Sequence, residues 1–453
     1  MKKFFFGIAL ITHLSGILFA EYPRLLIKLP TRSRPEKFFK TLDTFYEKLS
    51  NKVPYHFLIS CDLDDKSMNQ DKIKEMLREY PNLSFYFGHH DSKVAAYNAD
   101  MESHNDFDVV LVVSDDMEPV VDGYDQIIMD RFLKEFPDLD GVLNFNDGHA
   151  SAEKCNTMPI IGRTFYERFG YIYQPLYKSL FCDSELTLVS RMLAKEAIYD
   201  DVIVRHNHPI FDANPSWDQL YQRNNAFWDV DQKTFVHRRY NNFEITDSMM
   251  QKIFTKDWSI LICTLEKRAK SFNFIYNKLK KQINDAGLTD KIEVLYLKDD
   301  GQASVGYKRN ELMKKSKGLY TCFIDDDDDV HDNYIQMIHE KLKMNPDCVS
   351  LKGVITFNGQ SPQLFIHSLK YTDYFEKDST YYRPPNHLNV IKRCFGIQCF
   401  FPEKNFGEDA IWSLDLLKLG LVKKEEEITQ PYYFYLFNSV KSKFRQTATM
   451  TQD

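Results

Sequence analysis

Two clusters of aspartate stand where apolar runs stop: Ser114-Asp115-Asp116 follows DVVLVV, and Asp325 to Asp329 follow GLYTCFI. Both runs have strand composition, so the acids fall at strand ends. Carboxylates packed this closely repel one another, and a bound cation is the usual relief. Residues i and i+2 leaving a strand project to one side, which lets two carboxylates share one divalent ion. A solvated acidic loop is the plainer alternative for either cluster taken alone. The second cluster is no EF-hand, because counting from Asp325 puts Val330 and Gln336 where Gly and Glu are required.

Other polar residues recur at comparable places. Asp62 ends YHFLISCD, and Asp299 and Asp300 end KIEVLYLKDD. Glu408 and Asp409 head an apolar helical stripe of Ile411, Trp412, Leu414, Leu416, Leu417 and Leu419 that stops at Gly420. Asp183 and Glu185 head a similar stretch with Leu186, Val189 and Leu193 on one face. An acidic first turn that complements the helix dipole is the bland account of both. His206 and His208 lie two apart on an expected strand, VIVRHNHPIF; a structural pair and a metal-ligating pair both fit. The order in each half is strand, helix, strand ending in acid, helix, strand ending in acids, the alternation of a mostly parallel α/β sheet. Ligands of such sheets gather at the carboxyl ends of the strands, where these acids are.

Over most of residues 257–420 this order resembles the family 2 glycosyltransferases of GT-A fold, and residues 24–211 resemble a looser second copy. The resemblance implies the following roles. Asp299, Asp300 and, in the first half, Asp62 contact the nucleotide base. Gly306, Lys308, Arg309 and Asn310 match the family's G-x-x-R-N helix start, and Asp325 with Asp327 its D-x-D. Pro30, Thr31 and Arg34 match P-T-x-x-R. Ser114-Asp115-Asp116 replaces D-x-D, with Asp115 on the donor and Asp116 on the metal. His208 is the expected third metal ligand there; the second half has Tyr432, Tyr433 and Tyr435 in that region. Asp409, of the Glu408-Asp409 pair, is the expected general base, with Asp183 or Glu185 its counterpart.

The implied reaction is metal-dependent transfer of a sugar from a nucleotide-sugar donor, a UDP-sugar foremost, to a hydroxyl of a glycan or glycoconjugate. Mn2+ or Mg2+ is the implied cofactor, the stereochemistry is inverting, and two active copies would make the chain bifunctional. One active unit beside a carbohydrate-binding or docking unit is the alternative. A third reading takes Asp326, Asp328 and Val330 as the frame of an aspartyl-phosphate phosphotransferase resembling the haloacid-dehalogenase phosphatases.

Length and composition suit two domains: 453 residues, 43% hydrophobic and 27% charged, with divisions expected at 1–20, 21–250 and 251–453. A net charge of -7 gives no nucleic-acid footprint. Lys2 and Lys3 before the apolar run 4–20 read as a secretory signal or short membrane anchor, implying export or membrane association, and a cytoplasmic chain if the segment is not used. The eight cysteines contain no C-x-x-C and decide no compartment.

Overall fold

The computed structural model describes residues 22–149, 155–209 and 217–437, so the N-terminal apolar run lies outside the described residues. Among the described residues no helix is long and apolar enough to cross a membrane. The strands of the first half are β1 (Leu25–Thr31), β2 (Tyr55–Asp62), β3 (Leu83–Gly88), β4 (Val109–Val112), β5 (Met117–Pro119), β6 (Val142–Phe145), β7 (Ile160–Gly162), β8 (Glu196–Tyr199) and β9 (Val204–His206). The second half has β10 (Lys256–Leu265), β11 (Ile292–Asp299), β12 (Gly318–Phe323), β13 (Asp329–Val330), β14 (Cys348–Val349), β15 (Leu351–Phe357), β16 (Gln360–His367), β17 (Phe375–Lys377), β18 (Thr380–Arg383), β19 (Ile391–Lys392), β20 (Glu425–Glu426) and β21 (Tyr433–Phe437).

The chain is α/β, as its sequence predicts, and two sheets share one plan. The first runs β3-β2-β1-β4-β7-β6-β8 and the second β11-β10-β12-β19-β14-β20, each parallel except for one reversed strand, β7 or β19. β1 and β4 are buried almost continuously, the composition of a parallel sheet covered on both faces. Registers correspond as well. Thr31 pairs with Cys61 and Thr264 with Lys298, so the residues that follow, Asp62 and Asp299, leave their strands at equivalent points. The Val113 amide donates to Lys28 O and the Ile324 amide to Leu261 O, each at 3.0 Å, so Ser114, Asp115 and Asp116 correspond to Asp325, Asp326 and Asp327. β5 pairs with β9, while β13 opens a third sheet, β13-β21-β15-β16-β18-β17, that sequence periodicity did not reveal.

One apolar cluster joins the two halves, containing Leu26, Tyr97 and Cys182 together with Leu261, Leu312 and Trp412. At its edge the buried Arg393 guanidinium donates to the carbonyls of Arg191, Met192 (3.1 Å), Met313 (3.1 Å) and Lys314 (3.3 Å). These are the carboxyl ends of the helices Cys182–Met192 and Val305–Lys315, whose unpaired carbonyls and dipoles favour a cation. Burial pulls the Arg393 pKa down to about 10.

Candidate active site

In the second unit the helix Val305–Lys315 starts at Ser304, whose Oγ accepts from the Tyr307 amide at 3.1 Å. Each motif residue then meets a different part of the site. A Cβ on Gly306 would collide with the Pro402 carbonyl, so only glycine allows this approach, and its amide donates to Lys404 O at 3.1 Å. Lys308 Nζ donates to Asp299 Oδ1 and to Thr264 O. Burial opposes the Asp299 charge, but Lys308 and the Ala303 amide hold its pKa below the usual carboxylate range. Arg309 lies between Asp325 Oδ1 at 3.3 Å and Glu408 Oε1 at 3.4 Å, its guanidinium carbon 5.1 Å from the ring of Phe323. Asn310 Nδ2 donates to Phe401 O at 2.8 Å, and its Oδ1 accepts from the Phe401 amide at 2.9 Å. Asp300 turns outward, its amide donating to Gln302 Oε1 at 2.9 Å.

The acid run alternates, as its period of two requires. Asp326, 1% exposed, accepts from Thr264 Oγ1 at 2.7 Å and Arg268 Nη1 at 2.5 Å. Asp328 is also buried and accepts from the Tyr433 hydroxyl at 2.8 Å and the Leu436 amide at 3.0 Å. Asp325 and Asp327 are the more open, with side chains 35% and 22% exposed, and Asp327 Oδ2 lies 3.4 Å from the same Arg268 Nη1 that holds Asp326. Both Asp326 oxygens are engaged inside the protein, which leaves it no access as a phosphoryl acceptor. Enclosure opposes the charge on Asp325, but His387 and Arg309 beside it hold its pKa low. Burial and then the Asp325 charge raise that of Asp328.

The helix Glu408–Leu419 begins after Gly407 at φ 71° and ends before Gly420 at φ 62°. Of its expected stripe, Trp412, Leu416 and Leu419 are buried, while Ile411 and Leu414 are about two-fifths exposed. Glu408 faces inward to Arg309, and Asp409 opens outward with its side chain 29% exposed. Sequence reading missed His387, whose ring lies between Asp325 and Asp409, and Arg268, which holds Asp326.

The first unit has a cavity of about 200 Å³ at its strand ends, lined by Thr31, Arg34, Asp62, Asp115, Asp116, His206, His208 and Tyr221 among others. Arg34 Nη1 donates to Asp115 Oδ1 at 2.8 Å, the place Arg268 takes on Asp326. Burial and the neighbouring Asp116 still raise Asp115 to a pKa of about 6. Asp116 accepts from Ser114 Oγ and from the Tyr221 hydroxyl at 2.6 Å, and His206 Nε2 stands 3.4 Å from its Oδ1. The histidine next to Asp116 is His206; His208 lines the same cavity and packs on Tyr221, ring centres 5.0 Å apart, where burial and His206 lower its pKa to about 4. Asp62 accepts from Arg32 and sits 2.8 Å from His90 Nδ1.

The two acids at the head of the helix Cys182–Met192 differ in setting. Glu185 is buried, bound by Arg238 Nε at 2.7 Å and by the Tyr177 hydroxyl at 2.7 Å. Asp183 corresponds to Asp409 by its place after a left-handed residue, Phe181, and its Oδ1 accepts from the Ser184 amide at 2.8 Å. Neither is among the residues lining the cavity.

Both sites hold oxygen donors of the kind a divalent ion takes. In the first, Asp115 Oδ2 is buried without a hydrogen-bond partner among the described residues, and His206 turns Nε2 to Asp116 and Nδ1 to Asp147 at 3.9 Å, a carboxylate and imidazole set that suits Mn2+. The second offers Asp325 and Asp327, which suits a hydrated Mg2+ or Mn2+ that takes its remaining ligands from a diphosphate. Among the described residues no three His, Cys, Asp or Glu are already gathered in ligating geometry.

No protein-family model matches the chain, and no curated protein matches it. Among solved structures it is similar to TarS 1–349 of S. aureus in complex with UDP, at 15% identity and TM-score 0.30, over 40% of this chain and 60% of that one. It is also similar to the mannosyltransferase PcManGT of Pyrobaculum calidifontis in complex with GDP-Man and Mn2+, at 14% identity and TM-score 0.36, over 51% of this chain and 69% of that one. The chain thus spans about three-fifths of TarS 1–349.

Proposed function

We propose that the chain is a metal-dependent glycosyltransferase moving a sugar from a nucleotide-sugar donor to a hydroxyl of a glycan or glycoconjugate, with catalysis in the second unit, residues 251–453. The observation that carries this is the frame around Arg309: one buried guanidinium holds Asp325 of the strand-end pair and Glu408 of the helix head, leaving Asp409 at the opening. Asp325 and Asp327 would hold the ion, which when bound neutralises charge on the leaving diphosphate. Asp299, oriented by Lys308, meets the nucleotide base. Asp409 takes the proton of the acceptor hydroxyl as that oxygen bonds to the anomeric carbon. The bond from that carbon to the diphosphate oxygen breaks, and attack on the far face inverts the configuration.

The first unit keeps the acids, Arg34 and a histidine but lacks this frame, which favours a donor-binding module over a second transferase. Asp327→Asn should abolish transfer in a folded protein, and transfer undiminished in EDTA would defeat the proposal.

A further inference from the structure

We propose that His387 is a positioning residue tying the donor side of the second site to its base, Nε2 acting through Asp325 and Nδ1 through Asp409. The inference rests on the second unit being the transferase site. The ring is 5% exposed, with Nδ1 3.6 Å from Asp409 Oδ2 and Nε2 3.9 Å from Asp325 Oδ1. Neither nitrogen has a hydrogen-bond partner among the described residues. A buried imidazole whose two nitrogens face carboxylates at distances too long for hydrogen bonds is weakly satisfied, and what it gains there is the placing of those carboxylates. Contacts of this length fall within what a catalytic constellation shortens when substrate binds.

The backbone here is fixed, so the ring is aimed. The Phe323 amide donates to His387 O at 2.8 Å, tying the residue to the end of β12. On either side, Asn386 Oδ1 accepts from the Leu388 amide at 3.0 Å, and Asn389 Nδ2 donates to Val349 O at 3.0 Å. The first unit supplies an internal control. There the Val112 amide donates to Pro159 O at 3.1 Å, so proline takes the place of His387. Ser114 stands for Asp325 and Asp183 for Asp409. The histidine is present where both carboxylates flank it and absent where one of them is a hydroxyl.

Two amide substitutions separate the arms, because the asparagine amide reaches the position of Nδ1 and the glutamine amide that of Nε2. Both are made in the full chain, with steady-state kinetics over a nucleotide-sugar panel with Mn2+ and melting curves to report folding. His387→Asn should keep kcat and raise donor KM. His387→Gln should keep donor KM and lower kcat by about tenfold or more. Adding His387→Gln to Asp409→Asn should cost nothing further, because the histidine works through that carboxylate. If the glutamine variant does not fold, the asparagine variant alone reads the other arm: a raised donor KM at unchanged kcat supports the role, and a lowered kcat overturns it. Equal losses in both amide variants, or additive losses in the cycle, would overturn the role of His387 alone. A wild-type chain with no metal-dependent donor turnover would overturn the transferase reading and this inference with it.

Discussion

The two units keep the same backbone devices and differ in charge. Ser92 and Ser304 cap equivalent helices, each accepting an amide at 3.1 Å. Six residues later Asn98 and Asn310 clamp the backbone of a facing loop: Asn98 Oδ1 accepts the amides of Ile172 and Tyr173 at 3.0 Å, as Asn310 does that of Phe401. Between cap and clamp, Lys308 and Arg309 give way to Ala96 and Tyr97, and the partner Glu408 gives way to Cys182. Tyr97 and Cys182 are both in the shared apolar cluster. A buried ion pair is replaceable by apolar residues at little cost in stability, whereas losing one partner is expensive. The difference teaches that the fold needs the cap and the clamp, and that the Arg309–Glu408 pair is kept for what it positions.

The largest expected effect is on turnover. Asp409→Asn should lower kcat by about 10²- to 10⁴-fold with donor affinity nearly unchanged, while Asp183→Asn should leave transfer intact; product-release assays on both variants check this. A transfer defect in Asp183→Asn would make the units functional equals. Next comes stability. Arg309→Met should cost about 3–5 kcal/mol by leaving Glu408 buried and unpaired, and Arg309→Met with Glu408→Leu should recover most of it while remaining inactive. Urea titrations of the three proteins measure the coupling.

The clamps should behave alike. Asn98→Ala and Asn310→Ala each strand buried backbone groups, at about 1–3 kcal/mol, and calorimetry on the two variants should give matching losses. The last effect is on acid stability, about 2 kcal/mol over the 1.5 pH units between 6.5 and 5. Burial lowers the His367 pKa from 6.5 to about 3, with its Nδ1 3.1 Å from Asn386 Oδ1. The unfolded chain takes up this proton below pH 6.5 and the folded chain does not, so stability is full above that pH. It falls by roughly 1.4 kcal/mol per unit as pH drops towards 3. Melting temperatures measured from pH 7.5 to 5 should show the slope, and His367→Asn should make it shallower, the remainder coming from His56 and His208, whose pKa values burial also lowers to about 4.

The sequence made the strand-end acids legible because a strand imposes a period of two, and burial along Asp325 to Asp328 does alternate. The G-x-x-R-N motif was legible only as a pattern. Its reasons, a collision at Pro402 and a bidentate hold on Phe401, depend on a loop almost a hundred residues away. His387 left no local signal, since a lone histidine after Pro385 and Asn386 acquires its neighbours only when reversed strand β19 returns beside β12. Arg268 could have been found by aligning the halves, because it follows Thr264 much as Arg34 follows Thr31. The third sheet escaped because its strands, β16 and β17 above all, are too exposed to carry an apolar period.

The most direct test of the central assignment is release of nucleoside diphosphate from a panel of nucleotide sugars, with Mn2+ and then with EDTA, by the intact chain and by its Asp116→Asn and Asp327→Asn variants. Release should require the metal, survive Asp116→Asn and vanish in Asp327→Asn. Release that survives Asp327→Asn and disappears in Asp116→Asn would move catalysis to the first unit and contradict this account.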